Sequence, residues 1–105
     1  MGDLRHIVVA KFKEGVNVDE VVKGMEKLVS DVETVKSFEW GHDVESNAML
    51  TQGYTHVFSM TFRNSDDLTA YLGHPSHVAF STTFLEAIEK ILLFDFPAVV
   101  VKASA

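Results

Sequence analysis

The sequence predicts a single α+β domain in which a four-stranded antiparallel sheet carries all of its helices on one face. Two segments near residues 4–12 and 54–62 alternate apolar and polar positions, the period of a strand. Residues 18–33 and 65–91 instead repeat apolar positions every three or four residues, the period of a helix. The resulting order is strand, helix, strand, strand, helix pair, strand. Right-handed crossovers then make helices on one face the simplest arrangement, with the first and third strands central.

In the first strand Leu4, His6, Val8, Ala10 and Phe12 share one face, while Arg5, Ile7, Val9 and Lys11 share the other. Gly15 breaks it, and Asn17 with Glu20 forms a capping box that opens a helix over 18–33. Lys36 to His42 reads as the second strand, with Phe38, Trp40 and His42 on one face, and a polar loop follows from Asp43 to Gly53. In the third strand Tyr54, His56, Phe58, Met60 and Phe62 form the bulky parity, which should face the helices.

Asn64 or Ser65 caps a short helix that Gly73 ends. His74 and Pro75 read as the cap and first residue of the next helix, on which His77, Phe80, Phe84, Ile88 and Ile91 share a stripe. The apolar run from Ile91 to Phe96, interrupted by Asp95, suggests a last strand that extends past Pro97 into AVVV. Ile7, Val9, Val57 and alternate residues of the last strand are left on an uncovered face. An exposed apolar face of this kind marks an interaction surface, and a second copy of the chain is its most economical cover. A homodimer is therefore expected.

Composition limits the chemistry. The 105 residues suit one domain spanning 1–105, and 47% hydrophobic residues suffice for a core. The absence of cysteine excludes disulfides, thiolate metal ligands and thiol catalysis. A formal charge of −6, with nine scattered Lys and Arg, argues against nucleic acid and anionic membranes as partners. The strand pattern from Leu4 leaves no room for a leader peptide, and Gly2 lacks the Ser or Thr that a myristoylation signal needs. A cytoplasmic location is the expectation.

Five histidines carry the candidate chemistry. His42 reads as solvated and His74 as a helix cap. His6 and His56 share the helix-facing parity of antiparallel strands, each near its own strand's start, so they should lie toward opposite ends of the sheet. No metal site is expected from them, nor from the HPSH pair. His77 combines an apolar stripe with the first turn of a helix, where the dipole favours a neutral ring, and a neutral desolvated imidazole can act as a general base. Tyr71 can reach it across the bend at Gly73 and Pro75 and donate to a developing oxyanion. The competing expectation is that both are amphipathic core residues.

The stretches RHIVVAKFKEG, VKSFEWGHD, QGYTHVFSMTF, YLGHPSHVAF and ILLFDF, at 5–15, 35–43, 52–62, 71–80 and 91–96, together resemble the plant stress-responsive dimeric α/β-barrel (Dabb) family. That resemblance implies a ferredoxin-like βαββααβ subunit, two of which pair their sheets into a barrel, with the C-terminal segment contributing to the pairing. It also implies a pocket between sheet and helices lined by His6, His56, Phe58, His74, Phe80, Phe84 and Ile88. The family includes heat-stable stress proteins, a member described as antimicrobial, and olivetolic acid cyclase, a cofactor-independent polyketide cyclase. In the cyclase a tyrosine and a histidine of a YxxHPxH segment do the work, and Tyr71 and His77 match them here. Ile88 stands where the cyclase has a pocket tryptophan, and Phe58 replaces a smaller valine.

The expected function is thus a stress-responsive homodimer whose pocket either holds a small hydrophobic metabolite or is largely filled by side chains, and which needs no cofactor. The alternatives are an aldol-type cyclase or lyase using the His/Tyr pair, and a defence protein.

Overall fold

The computed structural model describes residues 3–45 and 47–102. Met1, Gly2, Ser46 and 103–105, and with them the expectation made for Gly2, lie outside the described residues. The elements are β1 (Leu4–Phe12), α1 (Val18–Asp31), β2 (Ser37–His42), α2 (Ala48–Thr51), β3 (His56–Phe62), α3 (Ser65–Gly73), α4 (Pro75–Ala87) and β4 (Ile88–Pro97). The strands form one antiparallel sheet in the order β2-β3-β1-β4, so β1 and β3 are central as expected.

Local chemistry sets the helix starts. The Asn17 side chain accepts from the Glu20 amide at 3.3 Å, and Asn64, rather than Ser65, accepts from the Asp67 amide at 2.9 Å. His74 accepts from the Ser76 amide through Nδ1 at 3.1 Å, immediately before Pro75. Each bond satisfies a donor that the first helical turn leaves without an intrahelical partner. Acidic residues in the first turns, Asp19 and Glu20 in α1 and Asp66 and Asp67 in α3, complement the helix dipoles.

The core lies between the sheet and the helices. Val8, Ala10 and Phe12 of β1 and Phe58, Met60 and Phe62 of β3 meet Val21, Val22, Met25 and Leu28 of α1, with Leu68, Tyr71 and Phe84 from α3 and α4. Burying each large apolar side chain contributes about 1.5–3 kcal/mol. The register Val9↔Val57 and Val9↔Leu92, with Ile7↔Phe94 and Arg5↔Phe96, assembles the opposite face. Val57, Leu92, Phe94 and Phe96 are exposed there.

Several expectations need correction. Ile88 and Ile91 are not helical: Ile88 adopts extended geometry at φ −96°, ψ 132°, and both residues pair with β1, opposite Phe12 and Ala10. A continuous apolar run satisfies both periods, and the free edge of β1 decides between them by supplying ladder hydrogen bonds. α1 stops at Asp31 because Val32 is already extended, although its side chain is still buried. The loop expected over 43–53 contains the single turn α2, closed by Gln52 at φ 54° and Gly53 at φ 86°. β3 begins at His56, not Tyr54. β4 ends at Pro97 without the expected extension, and the Ala98 amide bonds instead to the Asp3 carbonyl at 2.9 Å.

Candidate active site

His6 lies in β1 directly across from Asp95 in β4. Their alignment brings His6 Nδ1 to 2.5 Å from Asp95 Oδ1, with His6 only 4% exposed and the Asp95 side chain 34% exposed. The carboxylate accepts, so Nδ1 carries the proton and Nε2 is the nitrogen left for other partners. Above this pair stands Tyr71 of α3, its ring 6.1 Å from that of His6 and 5.3 Å from that of Phe62.

The chain leaves α3 at Gly73, bends through the His74 cap and enters α4 at Pro75. That bend returns His77 to Tyr71, with ring centroids 4.6 Å apart and planes inclined by 59°. His77 Nδ1 lies 3.0 Å from the Leu72 carbonyl oxygen. A carbonyl can only accept, so Nδ1–H donates and Nε2 holds the lone pair of the neutral ring. The Leu72 carbonyl is near the end of α3, where carbonyls lose their helical partners, and the same local break therefore orients the imidazole.

Burial pushes His77 below its ordinary pKa, the Leu72 carbonyl opposes this, and His6 adds a smaller downward push. The neutral ring expected from the helix end thus has desolvation as its first cause. Burial drives the Tyr71 phenol well above its usual range, which keeps it a neutral donor. A cavity of about 200 Å³ collects these groups: His6, Tyr71 and His77 line it with Met60, Phe80, Phe84, Leu85 and Leu93. The arrangement offers a base, a neutral acid and a second imidazole in a mainly apolar, open-sided cavity.

The other residues expected in this pocket lie elsewhere. His56 pairs with Ala10, about 13 Å along β1 from His6 at roughly 3.3 Å per residue. It stacks with Trp40 and Phe58, meets Phe12 edge-on at 5.1 Å, and has its pKa lowered by burial and then by His42. Phe58 is fully buried core beside Phe84, His74 is committed to its cap, and Ile88 is buried at the start of β4. A larger cleft of about 460 Å³ opens on the uncovered side, where Val9, Val57 and Leu92 meet Leu50 and Tyr54. It is remote from the Tyr71–His77 contact. Among the described residues no group of three His, Cys, Asp or Glu side chains could hold a metal ion, and no helix is long and apolar enough to cross a membrane.

Sequence reasoning missed Asp95 and the Leu72 carbonyl. Asp95 did carry a signal, as the one charge in an apolar run, since a buried or half-buried carboxylate calls for a partner. A backbone acceptor carries none.

The family model described as Stress responsive A/B Barrel Domain (Dabb) matches residues 4–98. The chain belongs to this family. Its A/B barrel domain is 58% identical over 100 residues to the stress-response A/B barrel domain-containing protein At5g22580 of Arabidopsis thaliana, covering 95% of this chain and 90% of that protein. It is 32% identical over 96 residues to olivetolic acid cyclase of Cannabis sativa, covering 89% and 94%. The crystal structure of At3g17210 from Arabidopsis thaliana superimposes with a TM-score of 0.86 at 39% identity, over 95% of this chain and 99% of that one. A dimeric ferredoxin-like protein of unknown function from Thermobifida fusca superimposes at 0.79 with 21% identity and 92% coverage of both chains. The α+β, ferredoxin-like class of the domain follows.

Proposed function

We propose that this A/B barrel protein is a homodimer, joined through the uncovered sheet faces, that performs acid–base chemistry on a small apolar carbonyl compound in the cavity beneath its helices. His77 Nε2 takes a proton from the carbon beside the carbonyl. The C–H electron pair moves to form an enolate, and the Tyr71 hydroxyl donates to the enolate oxygen. The enolate carbon then forms a new bond to a second carbonyl carbon, whose oxygen is protonated by the imidazolium. His6, oriented by Asp95, stands beside Tyr71 as a second proton station.

The observation that carries this function is the Nδ1–H bond from His77 to the Leu72 carbonyl, which commits the ring to the tautomer a base requires. The 32% identity to a protein named a cyclase supports the reaction class. The exposed stripe of Val57, Leu92, Phe94 and Phe96 supports the dimer, as does the dimeric ferredoxin-like relative of the same fold.

Deuterium uptake at the methyl group of acetophenone in D2O, followed by proton NMR, tests the base directly. The protein should accelerate uptake, and His77→Ala should remove about 100-fold or more of that acceleration while the dimer persists in sedimentation. Equal uptake in both proteins would refute proton abstraction and leave a metabolite-binding stress protein.

A further inference from the structure

Gly24 sits in the middle of α1, where glycine is a poor helix residue. Its backbone does not demand glycine, because the glycines with positive φ among the described residues are Gly15 and Gly53. What it meets across the helix interface does. A Cβ at Gly24 would lie 2.9 Å from Cε1 and 3.4 Å from Cδ1 of Phe80 in α4, inside van der Waals contact.

Phe80 is half-buried and forms part of the cavity wall. Its ring leans on Phe84 at 5.6 Å, and Phe84 is in turn held edge-on by Phe12 at 6.1 Å and Phe58 at 6.0 Å, all three buried. A ring pushed off α1 therefore meets packed aromatics on one side and the cavity on the other.

We propose that Gly24 determines specificity without touching the ligand: its missing side chain lets Phe80 rest against α1, and that resting place sets the width of the cavity. At about 200 Å³ the space falls below the roughly 300–1,000 Å³ of pockets for drug-sized ligands, and its wall is mainly apolar. The substrate class that fits is a carbonyl compound bearing one aromatic ring or an equivalent short apolar group. This inference rests on the proposed carbonyl site and deepens it.

NMR titration with acetophenone and the bicyclic 2-acetonaphthone tests it in four proteins: the wild type, Gly24→Ala, Phe80→Leu and the double variant. The wild type should prefer the single ring. Gly24→Ala should weaken the bicyclic probe about tenfold more than the monocyclic one, the scale of a tightly overpacked site. Phe80→Leu should favour the bicyclic probe, and in that background Gly24→Ala should have no further effect. Unchanged selectivity in a folded Gly24→Ala protein, or an equal effect of Gly24→Ala with and without Phe80, would overturn the role of Gly24 alone. Failure of the wild type to bind either ketone would overturn the carbonyl site together with it.

Discussion

Val57 and Phe58 are neighbours in β3, yet Val57 is 44% exposed and Phe58 is completely buried. The pleat sends one to each face of the same sheet, and the two faces have different fates. The helix side closes over Phe58, Met60 and Phe62 and holds His6, Tyr71 and His77 in its cavity. The other side presents Val57, Leu92, Phe94 and Phe96 to solvent. In the proposed reading folding and acid–base chemistry share one face, and association has the other to itself. Damage to one should spare the other, and that separation can be tested from either side.

The largest effects should come from this neighbouring pair. Phe58→Ala should cost about 3–5 kcal/mol in urea unfolding, because a fully packed aromatic leaves a cavity its neighbours cannot fill. Val57→Glu should leave the subunit folded but convert the dimer to monomers in sedimentation at micromolar concentration, since pairing would bury an unpartnered carboxylate. A Val57→Glu protein that stays dimeric would remove the open face from the assembly. A Val57→Glu protein that unfolds would show that the two faces are coupled.

A middling effect should follow pH. His56 and His77, both on the helix side, have pKa values lowered in the folded state below the unfolded value of 6.5. Above pH 6.5 both states hold these rings neutral and no penalty arises. As pH falls below 6.5 the unfolded chain binds protons that the folded one resists, so stability drops until the lowered folded values are reached and then levels off. Urea midpoints measured between pH 7.5 and 5 should fall in that order, and His77→Gln should flatten part of the slope. A slope unchanged by His77→Gln would mean that the ring is solvated. The smallest effect belongs to neither face: Asn17→Ala should cost about 1 kcal/mol by removing the α1 cap, without altering assembly or ketone binding.

The site was readable to different depths. Tyr71 and His77 stood out because a glycine, a histidine cap and a proline between them announce a helix break, and a break of that length brings the flanking residues together. Antiparallel pairing, with each histidine near its own strand's start, separated His6 from His56 along the sheet. Ile88 escaped because a short apolar run fits helix and strand alike, and Asp95 because its partner lies 89 residues away. Gly24 shows the same limit: its role depends on a phenylalanine of another helix.

Periodicity and contacts within a few residues were enough to read the order of β1, α1, β2, β3, α3, α4 and β4, the caps and the sorting of side chains between two faces. Packing between distant segments set the β1–β4 register that joins Asp95 to His6, the Leu72 carbonyl that selects the His77 tautomer, and the room that α1 leaves for Phe80. Those outcomes turn on register and on separations of tenths of an ångström between distant segments, and no local pattern encodes them. The two faces were therefore visible from the start, and Tyr71 and His77 with them, whereas the partners that orient the two histidines, Asp95 and the Leu72 carbonyl, were not.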